Sequence, residues 1–415
     1  MRIMRFAVLA ALASPCAIAQ QQIVRPPIAV YWMSAATATG MGMSGAASSA
    51  DAMRMALGGS GGSTRTLQLQ LGSTQASADP RGAHEIPPAL SMGSALPLVS
   101  PPQQQRAEPR EGELPQGMEQ PKGRMLIFWG CSEKAGPGQP LIVDFAKLAA
   151  GQRAPGLTSR AVSRPQGPAA SRSRSYGEWP NREDSKPVPA EASLRGDHAV
   201  KASYAPEIRF AVGERHDFLA PVQLTAAAAG EARRLSWARV PNATGYFIAA
   251  FGGKQDSNDV VMWTSSEVQE SGGALLDYVP PGEAARLIKE RVVLSAERSD
   301  CAISAEAIKA MDVPMAQFIA YGDELNLVHP PRPSDAKIPW DQQWAMKLRL
   351  KSTVALPLME GMGARPAQAE PRNESTGRTA EKPAAPRDAQ TPSQSPIEQG
   401  VQEGVRGVLR GIFGR

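Results

Sequence analysis

The segment 344–351 constrains the fold more than any other part of the chain, because large apolar and cationic side chains alternate along it. The apolar positions are Trp344, Met346, Leu348 and Leu350, and the cationic positions beside them are Lys347, Arg349 and Lys351. A period of two residues is typical of a β-strand with one face in an apolar core. Leu67, Leu69 and Leu71 alternate with Gln68 and Gln70 in the same way. The chain therefore needs at least one amphipathic sheet.

Short apolar runs elsewhere also favour a mainly β fold. Strands are predicted near residues 28–33, 67–71, 125–131, 141–145, 208–212, 218–224, 235–251, 260–265, 292–294 and 344–351. The Gly136-Pro137-Gly138 turn predicts a hairpin between two of them. Two short helices are expected, one beginning at Pro281 and one capped by Ser304.

Changes in composition divide the 415 residues into units. We predict two antiparallel β-rich, sandwich-like domains joined by a disordered linker, followed by a disordered tail that ends in a short amphipathic helix. The predicted units are a signal peptide (1–19), an N-terminal β-rich domain with Gly/Ser/Met-rich and Pro-rich loops (20–150), a basic linker (151–200), a second β domain (201–358), a tail (359–396) and the helix (397–415). The linker is predicted because its arginines lie among Ser, Pro, Gly and Ala, which cannot form a core.

The first 19 residues have the pattern of a cleavable export signal. Arg2 and Arg5 precede a short apolar run, and Ala17-Ile18-Ala19 supplies the small residues that a signal peptidase requires. Lipid attachment at Cys16 is the alternative, but Pro15 disfavours it because a small residue is expected there. We therefore expect an exported protein, periplasmic or associated with the outer membrane.

Two cysteines, Cys131 and Cys301, remain after the predicted cleavage. In an oxidising compartment such a pair either forms one disulfide or consists of two buried thiols. Because the two residues fall in different predicted domains, a disulfide would have to join those domains. The sequence leaves both possibilities open and slightly favours unpaired thiols.

The segment LSWARVPNATGYFI, residues 235–248, resembles the start of a fibronectin type III module. In that family a Trp on one strand and a Tyr on the next pack across two sheets, with a short turn between the strands. The resemblance implies a β-sandwich over 201–358. Its core residues would be Leu235, Trp237, Val240, Tyr246 and Ile248. The likeness covers about twenty residues of a module of roughly ninety, and the helix expected after Pro280 departs from the family pattern.

Catalytic motifs are weak. The four histidines, at positions 84, 198, 216 and 329, have no metal-site spacing. Gly58-Gly59-Ser60-Gly61-Gly62 matches a nucleophile-elbow pattern formally, but it lies in a glycine-rich run rather than between a strand and a helix. An enzyme is therefore not favoured, and an unrecognised hydrolase is kept as an alternative.

Two pairs of methionines give the sequence's strongest indication of a metal-binding function. Met41, Met43, Met53 and Met55 form two M-x-M pairs in one Gly/Ser-rich stretch. Thioether sulfur is a soft ligand that suits Cu(I), which an exported protein can meet in the periplasm. Methionine also fills irregular apolar surface, so that a purely structural role is the alternative. A periplasmic copper-binding protein is the second functional hypothesis.

The last residues predict a docking helix. An apolar stripe is formed by Ile397, Val401, Val405, Val408 and Ile412. Arg406 and Arg410 lie off this stripe, as in helices that lie on a membrane surface. We expect the helix to dock on a membrane or on a protein partner, and a frayed tail is the alternative.

These patterns favour an exported cell-envelope protein that acts as a non-enzymatic binding or structural module. A protein or an envelope surface is the expected partner, with peripheral membrane contact through the C-terminal helix. Nucleic acid is not expected, since a net charge of +5 on 415 residues is mild.

Overall fold

A computed structural model describes residues 22–40, 62–102, 123–150, 152, 162–163, 165–254, 256–270 and 272–358. Across these residues the protein is mainly β, with eighteen strands and three short α-helices. None of these helices is long and apolar enough to cross a membrane. The predicted signal peptide, the four methionines of the proposed copper site and the predicted C-terminal helix lie outside the described residues.

The strands are β1 (Val24–Arg25), β2 (Ala29–Gly40), β3 (Thr64–Ser73), β4 (Gly82–Glu85), β5 (Ala95–Leu98), β6 (Arg124–Trp129), β7 (Leu141–Asp144), β8 (Ser175–Trp179), β9 (Gly196–Ala202), β10 (Ala205–Val212), β11 (Leu224–Ala229), β12 (Ala232–Trp237), β13 (Ala243–Gly253), β14 (Val260–Thr264), β15 (Asp300–Ile303), β16 (Met315–His329), β17 (Trp340–Asp341) and β18 (Trp344–Pro357). The helices are α1 (Phe145–Ala149), α2 (Pro281–Lys289) and α3 (Ala305–Lys309).

Nine strands form the large sheet, in the order β7-β6-β14-β13-β16-β18-β2-β3-β8. Most neighbours are antiparallel, but β14 runs parallel to β6 and β18 runs parallel to β2. The β18–β2 pairing extends from Trp344 opposite Ala29 to Ala355 opposite Gly40. Strands from both predicted domains therefore share one sheet. The sequence could not indicate this, because residue alternation marks the faces of a strand but not its neighbours.

The predicted linker differs most from expectation. Residues 175–179 form β8 at one edge of the large sheet, and residues 196–202 form β9, of which the linker prediction included 196–200. Trp179 and Tyr176 are buried there. The prediction of disorder over 151–200 is therefore wrong for these residues, because two aromatic side chains in a five-residue strand are outweighed by the Ser-, Pro- and Arg-rich average of the segment.

Two smaller sheets pack on one side of the large sheet, which we call its core face. They have the orders β10-β9-β4-β5 and β11-β12-β15. Their apolar side chains join those of the large sheet in one core cluster. Within it lie the apolar positions of the two alternating segments, namely Leu67, Leu69, Leu71, Trp344, Met346, Leu348 and Leu350.

The residues that resemble a fibronectin type III module contribute side chains to this core from two sheets. Trp237 ends β12 and Tyr246 lies in β13, so the two side chains come from different sheets. Their rings meet edge to face, with centroids 5.8 Å apart, and the backbone N–H of Val240 donates to the Tyr246 hydroxyl at 3.1 Å. Leu235 and Ile248 are also buried, so all five predicted core residues lie in the core.

A disulfide joins Cys131 to Cys301. Cys131 follows β6 of the large sheet, and Cys301 lies in β15 of the three-stranded sheet. The bond therefore links two packed layers between positions 170 residues apart in the chain. The sequence slightly favoured unpaired thiols because the two cysteines fall in different predicted domains. That expectation is wrong, since strands of both predicted domains share one sheet.

The opposite side of the large sheet, its outer face, is covered in part by α2. Pro281 occupies the first turn of this helix, as expected, because its missing N–H is not needed there. Ala284 and Leu287 of the helix pack on Phe247, Ile319 and other apolar residues of the sheet. Ser304 caps α3, accepting from the N–H of Ala307. The outer face beyond α2 carries a different set of side chains.

Candidate binding site

Cationic side chains of β18 occupy the outer face beside the α2-covered part. They are Lys347, Arg349 and Lys351, which alternate with the buried residues of the same strand. In the parallel register these three lie opposite Trp32, Ser34 and Ala36 of β2. The alternation seen in the sequence thus places three positive charges in a row near the middle of the sheet. We call the cations, together with Trp32, Ser34 and Tyr278, the charged cluster.

Arg349 is the centre of this cluster. Its guanidinium carbon lies 5.0 Å from the ring centroid of Trp32 and 4.2 Å from that of Tyr278. Its Nε donates to the hydroxyl of Ser34 at 2.7 Å. Within the described part of the chain, no oxygen accepts from its two terminal nitrogens, and no carboxylate pairs with it. The guanidinium is therefore held in place while its outer edge has no acceptor.

The two flanking lysines each have a carboxylate partner. Lys347 contacts Glu324 of β16, and Lys351 Nζ lies 2.9 Å from a carboxylate oxygen of Asp277. Burial alone would raise the pKa of Asp277, but the positive charge and hydrogen bond of Lys351 hold it below its ordinary value. The charge of Arg349 contributes to the same lowering of the Asp277 pKa. The direct ion pairs of both carboxylates are nevertheless with the lysines and not with Arg349.

Gly167 brings a neighbouring segment onto the cluster. An idealised Cβ at this position would lie 2.7 Å from the Trp32 ring, so that only glycine allows the approach. On the other side, Tyr278 follows the one-turn 3₁₀ helix Gly273–Leu276. The Trp32 ring is therefore covered by the segment at Gly167, and the guanidinium of Arg349 contacts this ring and that of Tyr278.

A second polar feature is buried in the core. His84 of β4 and His198 of β9 are in contact through a hydrogen bond of 2.9 Å, although 114 residues separate them in the chain. The Tyr31 hydroxyl lies 2.8 Å from Nδ1 of His84, and Nε2 of His198 lies 2.7 Å from the Leu194 carbonyl. Sequence reasoning missed this pair, because strand pairing rather than sequence spacing brings the two rings together.

The direction of each hydrogen bond follows from the carbonyl, which can only accept. His198 Nε2 donates to Leu194, His84 Nε2 donates to His198, and the Tyr31 hydroxyl donates to His84. Burial lowers the pKa of His84 well below its ordinary value, with a further contribution from His198. Burial also lowers the pKa of His198. Both histidines are therefore neutral near pH 7, and the chain of bonds suits a structural role.

An open cleft of roughly 370 Å³ lies beside the disulfide. Its walls include Trp129, Cys131, Gln139, Glu267 and Arg298. The side-chain amide of Gln139 accepts from the backbone N–H of Trp129 and donates to the carbonyl of the same residue. Arg298 donates to the carbonyl of Asp300. The polar groups that line this cleft are thus largely engaged with the protein itself.

The described residues contain no group of three or more His, Cys, Asp or Glu side chains that could hold a metal ion. The copper hypothesis is not addressed by this observation, since Met41, Met43, Met53 and Met55 lie outside those residues. Comparison with known proteins finds no matching family model, no matching curated protein and no matching solved structure. The resemblance of residues 235–248 to a fibronectin type III module therefore stays a prediction.

Proposed function

We propose that this chain is an exported, non-catalytic binding protein of the cell envelope. It would use the β layers as a rigid scaffold and the charged cluster of the outer face as its contact surface. The observation that carries the proposal is the outer edge of Arg349, which has no acceptor among the described residues, between two lysines that are each paired with a carboxylate. The terminal nitrogens of Arg349 are open to solvent, so a planar oxyanion can reach them and replace water there.

The disulfide supports the exported part of the proposal. Disulfides persist in the periplasm and outside the cell, whereas cytosolic thiols are kept reduced. Cys131 and Cys301 link the large sheet to the three-stranded sheet, and the signal-like pattern of residues 1–19 agrees with the same compartment.

Cell fractionation and photocrosslinking test this proposal. The full chain should be recovered from the periplasm or envelope with an N-terminus at Gln20 and no free thiol at Cys131 or Cys301. A photoreactive amino acid at Gln68, an exposed residue of β3 opposite Ser34, should give adducts in cells. The same group at Ala227, exposed on β11, is the matched control.

Recovery in the cytoplasm with reduced cysteines would contradict export. Equal crosslinking at both positions, or none at Gln68, would contradict a binding role for the outer face.

A further inference from the structure

We infer that Arg349 anchors a site for a single carboxylate group of a ligand. This inference rests on the proposed binding role and names the chemistry that the outer face recognises. The charge count of the charged cluster is the first argument. Three cations face two carboxylates, those of Glu324 and Asp277, which leaves one positive charge.

The shape of the free edge is the second argument. Ser34 accepts from Nε of Arg349, and the rings of Trp32 and Tyr278 contact the guanidinium. The two terminal nitrogens remain, and their parallel N–H groups match the two oxygens of a planar oxyanion. A bidentate pair at this edge would complete the hydrogen bonds of the group.

The surroundings favour a carboxylate over a phosphate dianion. Glu324 lies opposite Arg349 in the register of β16 and β18, and Asp277 precedes Tyr278, whose ring contacts Arg349. Each of the two carboxylates is in contact with a lysine. A dianion would bring a second negative charge near these carboxylates, and like charges at close range are unfavourable. One carboxylate balances the one excess positive charge without that repulsion.

The site is also organised before a ligand arrives. Arg349 lies in the long strand β18, which is paired on both sides by β16 and β2. Its side chain is fixed by Ser34 and by two rings, so that little side-chain freedom remains to be lost on binding.

Titration of the purified chain with acetate and with inorganic phosphate tests the site, at constant ionic strength set with chloride. The NMR signals to follow are the Nε–H of Arg349, identified by its absence in Arg349→Gln, and the indole N–H of Trp32. Acetate should shift both signals to saturation, and phosphate at pH 8 should bind more weakly. Arg349→Gln should weaken acetate binding by about tenfold or more, as seen at Trp32.

Two further variants separate charge from geometry. Arg349→Lys keeps the positive charge but lacks the two parallel N–H groups of the guanidinium. It should therefore bind acetate more weakly than the parent chain and more tightly than Arg349→Gln. Arg209 is an exposed arginine of β10, which belongs to another sheet, and it pairs with Glu207 of the same strand. Arg209→Gln should therefore bind acetate like the parent chain. A cooperative thermal unfolding transition and a circular dichroism spectrum like that of the parent chain show that the fold of each variant is intact.

Acetate binding that survives Arg349→Gln would overturn the inference, as would phosphate binding tighter than acetate. Crosslinking at Gln68 in cells does not depend on acetate. If adducts form there while acetate leaves both signals unmoved, only the carboxylate site is wrong and the binding role of the outer face stands.

Discussion

Neighbouring residues of β18 face two different environments. Leu348 lies fully buried on the core face, among the side chains of three sheets. Arg349, the next residue, lies on the outer face against Trp32, Tyr278 and Ser34. The core face gains its stability from excluded water, whereas the charged cluster gains little, because the pairing of its charges mainly offsets the cost of removing them from water. The difference suggests that stability and binding depend on opposite sides of one sheet.

The largest expected effect lies at Trp237, whose ring packs on Tyr246 and Phe318 between two sheets. Replacing a buried Trp by Ala costs about 3–5 kcal/mol through lost burial and the cavity left behind. Chemical denaturation of Trp237→Ala should show a loss of that size. If the midpoint is unchanged, the layered core described above is wrong at this position.

The disulfide should rank next. Replacing both Cys131 and Cys301 by Ala frees a loop of 170 residues in the unfolded chain, and removal of a native disulfide typically costs about 2–5 kcal/mol. Denaturation with and without reductant measures this in the parent chain. The double variant provides the control, since reductant should no longer change its midpoint.

The buried histidine pair makes the core face sensitive to acid. The pKa values of His84 and His198 are lowered in the folded protein, whereas in the unfolded chain they are near the ordinary value of about 6.5. As pH falls through that value, the unfolded chain takes up protons that the folded protein does not. Stability should therefore be fully present above about pH 6.5 and should fall as the pH drops below that value.

Removal of one ring separates this effect from general acid sensitivity. His84→Ala leaves the Tyr31 hydroxyl and Nδ1 of His198 without partners, at about 1–3 kcal/mol for each unpaired group. It should also flatten the pH dependence of stability between pH 7.5 and 5.5. His216→Ala, a change at a partly exposed ring near Asp323, should leave the contribution of the buried pair unchanged.

The smallest expected effect on stability is at Arg349. Because its partners are one hydroxyl and two rings, Arg349→Gln should lower the free energy of unfolding by about 1–2 kcal/mol at most. Leu348→Ala, one residue away, should cost about 2–5 kcal/mol. Thermal or chemical denaturation of the two variants in parallel compares the faces directly. Equal losses would mean that the outer face contributes to folding as much as the core does.

The sequence by itself determined the local patterns. The alternation over 344–351 indicated which side chains of β18 are buried and which are charged, and Pro281 and Ser304 marked the starts of two helices. The resemblance of residues 235–248 to a fibronectin type III module implied that Trp237 and Tyr246 are core residues, and both are buried. These features depend on neighbours within a few residues, for which steric and hydrogen-bonding preferences are decisive.

Only the tertiary structure decided which distant residues meet. Arg349 bonds Ser34 across 315 positions, and His84 bonds His198 across 114. The strand β8 in the predicted linker gains its order from pairing with β3. Strand partners and register result from burial over the whole sheet, and many pairings are compatible with the same local alternation. The charged cluster therefore exists only because the fold places β18 beside β2.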